Sequence, residues 1–135
     1  MTMHEKMLTK VATGSSGFAS AAASLNFAGV WKNQYGSKMT LTVSGSKLTG
    51  KYESAVSGGG APITGDLCGF INGDVIAFTV NWPSPAITAW VGQMVNDNGN
   101  DVIPTLWQMT MNIADANEPT GMWQSIYAGT DRFHR

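Results

Sequence analysis

From Gly29 onward the chain is cut into short pieces by turn chemistry. Ser44-Gly45-Ser46, Ser57-Gly58-Gly59-Gly60, Asn72-Gly73 and Asn98-Gly99 are separators, and "DANEPTG" (115–121) is the last connection. Asn-Gly is a strong hairpin signal because both residues tolerate positive φ. The intervening stretches predict eight strands, at about 30–36, 39–44, 47–56, 62–70, 74–82, 87–96, 102–113 and 122–133. Nothing longer than a turn of helix is expected among them. Successive strands with short loops form an antiparallel meander, and closing it removes both edges. The expected fold is therefore all-β, an eight-stranded antiparallel up-and-down barrel. Such a barrel has room for side chains or for one small ligand. A flat sandwich is the rival, and it usually needs longer crossing loops.

Composition excludes several classes. At 135 residues the chain is one domain by length, and 43% hydrophobic residues suffice for a core. The formal net charge is −1 with 13% charged residues, and there is no basic stripe, so no nucleic-acid partner is expected. No apolar run approaches the ~18 residues of a membrane span. Cys68 is the single cysteine, so no intrachain disulfide can form. On strand four it reads as a small buried residue. His4 and His134 read as solvated, without the spacing of metal ligands. Residues 1–28 are polar and then small and low in complexity, a leader, a tag or a disordered tail; the domain is read as 29–135. Lys6, Lys10 and the small residues "ASAAAS" fit a secretory leader, which would place the protein outside the cytoplasm, secreted or periplasmic.

The parity of "GVWKNQYGSKM" (29–39) raises a chemical question. Lys32, Gln34, Gly36 and Lys38 share one face of an extended strand; Trp31, Asn33, Tyr35, Ser37 and Met39 share the other. The lysine face is the wet one, so Asn33 and Ser37 are carried inward and need partners. The same counting turns Tyr52 and Ser54 inward on strand three, and Trp82 on strand five. It turns Thr88 and Trp90 inward on strand six, Trp107, Met109 and Met111 on strand seven, and Trp123, Tyr127 and Asp131 on strand eight.

This interior is aromatic in part and polar in part, which suits a cavity whose polar groups converge on a ligand. Asn33, Ser37 and Tyr52 can donate hydrogen bonds, as a carbonyl-type oxygen requires. Asp131 and Ser54 can accept, as two flanking N–H groups require. Tryptophan walls suit a compact apolar frame, so a cyclic urea on a hydrophobic body meets all three conditions. No His, Glu or Lys shares the inward parity to partner Asp131 in acid–base work, so the chain reads as a binding protein and not an enzyme. A lipocalin-like carrier of another small hydrophobic ligand is the alternative, and a purely structural interaction domain is a further one.

The residues "GVWKNQYGSKM", "LTGKYESAV", "TVNWPSPAITAWVGQ", "TLWQM" and "WQSIYAGTDRF", in this order and at barrel spacing, resemble the avidin/streptavidin family of biotin-binding proteins. The resemblance runs from about Gly29 to Phe133. It implies non-catalytic, high-affinity biotin binding with no cofactor. Asn33, Ser37 and Tyr52 would hold the ureido oxygen, and Ser54 and Asp131 the two ureido N–H groups. Thr88 would approach the thioether sulfur, Trp82, Trp90 and Trp107 would box the bicyclic ring, and Met109 would complete an apolar wall. Trp123 matches the tryptophan that reaches a neighbouring subunit's pocket in tetrameric members, which implies self-association, as a homotetramer rather than a homodimer. The chain departs from the family at the open end. "WPSPAIT" (82–88) is shorter than the matching streptavidin-like loop and offers Ser84 and Ala86 where contacts to the biotin carboxylate would lie, and Gly58 stands where a side-chain amide is often found.

Overall fold

The computed structural model describes residues 1–13, 26–55 and 60–135, with the backbone alone at positions 123 and 124. The strands are β1 (Gly29–Lys32), β2 (Lys38–Ser44), β3 (Lys47–Ser54), β4 (Ile63–Asn72), β5 (Val75–Asn81), β6 (Ala86–Gln93), β7 (Val95–Asp97), β8 (Asn100–Met111) and β9 (Ile126–His134). All pairings are antiparallel, in the order β6-β5-β4-β3-β2-β1-β9-β8-β7, and β6 also pairs with β8. That second pairing closes the sheet into an eight-stranded barrel. The short β7 continues β6 past Met94 and pairs with the start of β8 (Asp97↔Asn100). The predicted strand 87–96 thus covers β6 and part of β7.

The hairpins follow the turn chemistry. Ser44↔Lys47, Asn72↔Val75 and Asp97↔Asn100 each enclose two residues. At the last of these Asn98 has φ 52° and Gly99 φ 88°, the two left-handed residues that match the twist of the flanking strands.

Three expectations need correction. The first strand ends at Lys32, and residues 33–37 turn the chain into β2. Asn33 and Ser37 are buried as expected, but Tyr35 is 75% exposed, because a turn does not obey strand parity. The last strand begins at Ile126 rather than 122. A 3₁₀ turn (Asp115–Asn117), a short helix α2 (Glu118–Gly121) and a second 3₁₀ turn (Met122–Ser125) precede it, with Pro119 in the first turn of α2, where its missing N–H costs nothing. Cys68 lies exposed on the outer face of β4, opposite Thr79. Apart from these, residues 3–13 form a helix, α1. A capping box starts it: Thr2 N donates to Glu5 Oε2 at 2.7 Å and Glu5 N to Thr2 Oγ1 at 3.2 Å. The bonds that the Thr2 N–H and the Thr2 hydroxyl donate to Glu5 Oε2 hold this carboxyl below its usual range.

The core fills the barrel from one end. Trp31, Met39, Leu48, Ile76, Phe78 and Phe133 are among its fully buried members. Phe27, upstream of the boundary read at 29, joins them. Its carbonyl accepts from Trp31 Nε1 at 2.9 Å. Arg135 lies 4.0 Å over the Trp31 ring and donates to the carbonyls of Asn26 and Ala28. The last residue of the sequence is thereby fastened to the chain entering the barrel.

Toward the opposite end the packing opens. Along the inward face of β8, exposure rises from 0% at Ile103 to 39% at Met111; along β9 it falls from 49% at Tyr127 to 0% at Phe133. The two strands run in opposite directions, so both gradients identify the same end. It is the end carrying the connections 33–37, 82–85 and 112–125 together with the end of β3 and the start of β4, and Met111 and Tyr127 stand at its rim rather than in the interior.

Candidate functional site

The turn at Asn33 sets the site's first donor. Asn33 Oδ1 accepts from the backbone N–H of Tyr35 at 3.0 Å and of Ser37 at 2.9 Å, and the backbone closes beneath it (Asn33 N donates to Ser37 O at 2.9 Å). An Asx turn of this kind is what Asn offers a chain reversal. With the carbonyl committed to the loop, the amide NH₂ is directed into the barrel. Asn33 Nδ2 donates to Tyr52 Oη at 3.4 Å.

Tyr52 comes from β3 and stacks on Trp90, with centroids 4.9 Å apart and planes 25° apart; Trp82 meets it edge-on at 5.7 Å. Burial pushes the Tyr52 phenol well above its usual value of 10.0, the negative charge of Asp131 pushes the same way, and a hydrogen bond with Ser37 opposes them. Tyr52 is therefore a neutral O–H donor throughout the physiological range. Ser37 Oγ accepts from Ala55 N at 2.9 Å, which leaves its own proton free to be donated.

Asp131, on β9, supplies the acceptor. Its Oδ2 accepts from Trp90 Nε1 at 2.9 Å, and its Oδ1 from Gln34 Nε2 at 3.3 Å. Sequence parity missed Gln34 by placing it on the wet face of a strand. In the turn its side chain instead reaches β9, where Nε2 donates to Thr130 O at 3.3 Å and Oε1 accepts from Arg132 N at 2.9 Å. The amide thus pairs with β9 much as a peptide group would, where β1 itself pairs with β9 only at Lys32↔His134. A Gln one residue after a predicted buried Asn was the available signal.

The structure therefore brings Asn33, Ser37, Tyr52 and Asp131 together, with Trp90 between the last two. It also corrects the reason for expecting a ligand. Among the described residues no buried side-chain nitrogen or oxygen lacks a hydrogen-bond partner. Asn33, Ser37 and Asp131 find partners within the protein, and what they retain is spare capacity: a second amide N–H on Asn33 and, with one hydroxyl proton used in the bond between Ser37 and Tyr52, the other proton of that pair.

The wall residues lie nearer the open end. Trp90 is buried and also stacks on Phe78 at 5.0 Å. Trp82 and Trp107 are half-buried, and Trp107 pairs with Trp90 across β6 and β8 while Met109 pairs with Thr88. Trp82 Nε1 donates to Thr88 Oγ1 at 2.9 Å, so this threonine fixes an indole ring. Gly129 makes room for Trp107: a Cβ there would sit 2.5 Å from Trp107 Cζ2. Ser54 is half-buried two residues beyond Tyr52, on the open side. Trp123 falls in the 3₁₀ turn Met122–Ser125 rather than on a strand, and its side chain lies outside the described residues. No group of three or more His, Cys, Asp or Glu among the described residues could hold a metal ion.

Comparisons with known proteins agree with the barrel fold. The model of the avidin family matches residues 21–135. Avidin of Gallus gallus is 28% identical over 126 residues, covering 85% of this chain and 81% of that protein. Avidin-related protein 4/5 of the same organism is 29% identical over 124 residues, with the same coverage. Among solved structures, xenavidin superposes with a TM-score of 0.71 at 29% identity, covering 82% of this chain and 97% of its own. A biotin binding protein from chicken superposes with a TM-score of 0.69 at 25% identity, covering 84% and 97%. With this barrel, this arrangement of side chains at its centre and a family match over most of its length, the chain belongs to the avidin family.

Proposed function

We propose that this protein binds biotin non-catalytically in the barrel interior. The carrying observation is the convergence of Asn33 Nδ2, Tyr52 Oη, the Ser37 hydroxyl and the Asp131 carboxylate beneath half-buried tryptophans. The three donors suit the ureido oxygen, and Asp131 and Ser54 suit its two N–H groups. Trp82, Trp90 and Trp107 form the box for the bicyclic ring, with Thr88 toward the sulfur. A dry, preorganised cluster loses little entropy on binding, and its hydrogen bonds meet little competition from water. A family relationship to avidin and likeness to a chicken biotin binding protein support the ligand's identity.

Self-association and extracellular release belong to the same reading. Val91 and Leu106 are exposed and directly paired on the outer faces of β6 and β8, beside exposed Val75 and Ile87. An apolar strip of this kind suits a second copy of the chain, in a homotetramer in which Trp123 reaches a neighbour's pocket. No helix among the described residues is long and apolar enough to cross a membrane.

Thermal unfolding with and without excess biotin tests the reading. A ligand that binds only the folded state adds RT ln(1 + [L]/Kd), about 4 kcal/mol at a thousandfold excess over Kd. A large upward shift in Tm is expected. An unchanged Tm at millimolar biotin overturns the proposal.

A further inference from the structure

We infer that Thr88 is a positioning residue for the outer wall of this site: its hydroxyl holds the Trp82 indole in the wall and so governs how fast the ligand leaves. The inference rests on the biotin reading. It assigns the hydrogen bonding of Thr88 to the wall rather than to the ligand's sulfur.

Trp82 follows β5 and Thr88 lies on β6, so the pair spans the turn that joins these strands. The backbone of that turn is well fixed. Pro83 and Pro85 each lock a φ angle within it. Trp82 N donates to Ala86 O at 3.2 Å and Ala86 N to Ser84 O at 2.7 Å. Asn112 N donates to Pro85 O at 2.8 Å, which ties the turn to the chain leaving β8. The hairpin thus sets where the Trp82 backbone lies, but not where its ring points. Trp82 is half-buried, Tyr52 meets it edge-on at 5.7 Å, and a Cβ at Gly65 would lie 3.0 Å from Trp82 Cε3. Such contacts limit the ring's position without fixing its rotation, because part of its surface meets solvent. The directional contact is the bond from Trp82 Nε1 to Thr88 Oγ1 at 2.9 Å.

Thr88 is a rigid anchor for that bond. It is 3% exposed on the inward face of β6, with Val80 opposite it on β5 and Met109 on β8. Both of these neighbours are apolar, and among the described residues Trp82 Nε1 is the one group that bonds to the hydroxyl. An indole N–H needs a partner, and a half-exposed ring without this one can turn its N–H to water and leave the wall. The Thr88 hydroxyl therefore passes the order of a buried strand to a ring near the open end. A ligand seated behind a fixed ring loses little entropy on binding and departs only when the ring moves, so the anchor acts on the dissociation rate.

The test measures the release of tritiated biotin, and of its tritiated carba analogue with a methylene in place of the sulfur, from the intact protein. Thr88→Val keeps the shape of the side chain and removes the hydroxyl. It should accelerate release of both compounds by the same factor, about three- to tenfold, as expected for one neutral hydrogen bond. Thr88→Ser keeps the hydroxyl and should restore slow release. Trp82→Phe keeps a ring without an N–H, and in that background Thr88→Val should change the rate by less than about twofold, because the two residues act as one unit. Faster release of biotin with the analogue unaffected assigns the hydroxyl to the sulfur and overturns the inference while biotin binding stands. An equal effect of Thr88→Val with and without the Trp82 N–H also overturns it, as does a Thr88→Ser variant as fast as Thr88→Val. If neither compound binds the unaltered protein, the biotin reading fails and this inference fails with it.

Discussion

The indole N–H of Trp90 donates to Asp131 Oδ2 at 2.9 Å, joining β6 to β9, two strands separated by β8, through the barrel interior. Both residues are buried. The bond has two effects. It satisfies an indole that could not otherwise be packed between Tyr52 and Phe78 without loss. It also fixes one carboxylate oxygen, while Gln34 approaches the other.

Replacing Asp131 by Ala should therefore destabilise the ligand-free protein. Removing a buried carboxylate can stabilise a fold when the charge is uncompensated. Here the substitution strands the Trp90 N–H, a loss of about 1–3 kcal/mol. Urea unfolding of Asp131→Ala should show a lower midpoint at unchanged slope, and biotin affinity should fall. An Asp131→Asn variant, which retains an acceptor oxygen, should lie between the two. A raised midpoint in the Ala variant would show that the buried charge outweighs the bond.

Tyr52 links the site to alkaline stability. Its folded pKa is raised above the unfolded value of 10.0 by burial and by Asp131. The neutral phenol is thus favoured in the folded state, and the contribution is fully present below pH 10. It is lost as pH rises from the unfolded value through the folded one, because the unfolded chain releases the proton first. Unfolding free energy measured from pH 8 to 12 should decline from about pH 10 upward, and part of that decline should vanish in Tyr52→Phe. The same variant keeps the ring stacked on Trp90 but loses a donor, so biotin affinity should drop by about tenfold while neutral-pH stability changes by about 1 kcal/mol. An identical alkaline profile in the variant would contradict the account.

Gln34 closes the seam where backbone pairing between β1 and β9 is shortest. In Gln34→Ala, hydrogen exchange at the Arg132 amide should accelerate, since its acceptor at 2.9 Å is gone. The seam is exposed and water can replace part of the loss, so the stability cost should be about 1–2 kcal/mol. Gln34→Glu keeps an acceptor for Arg132 but sets a carboxylate beside Asp131, and should be the more damaging of the two. Unchanged protection at Arg132 in Gln34→Ala would show that the side chain is not needed to close the barrel.

Local rules determined a large part of this protein. Glycine and asparagine at hairpin positions set where the chain reverses, and period-two alternation set which side chains of β3, β5, β6 and β8 face inward. Both depend on neighbours in sequence, so one chain suffices to read them. The inward placement of Asn33, Ser37, Tyr52 and Asp131 was also legible, and all four are buried. Tertiary structure decided the rest. Tyr35 faces solvent and Gln34 bridges to β9 because residues 33–37 form a turn held by the Asn33 side chain, and parity holds only within a strand. Residues 115–125 coil into helical turns, and the period-two count that placed Trp123 inward stops where they begin. Above all, the partner of Asp131 is an indole 41 positions away in sequence. No local pattern encodes that pairing; it exists because closure of β6 onto β8 carries Trp90 across to β9.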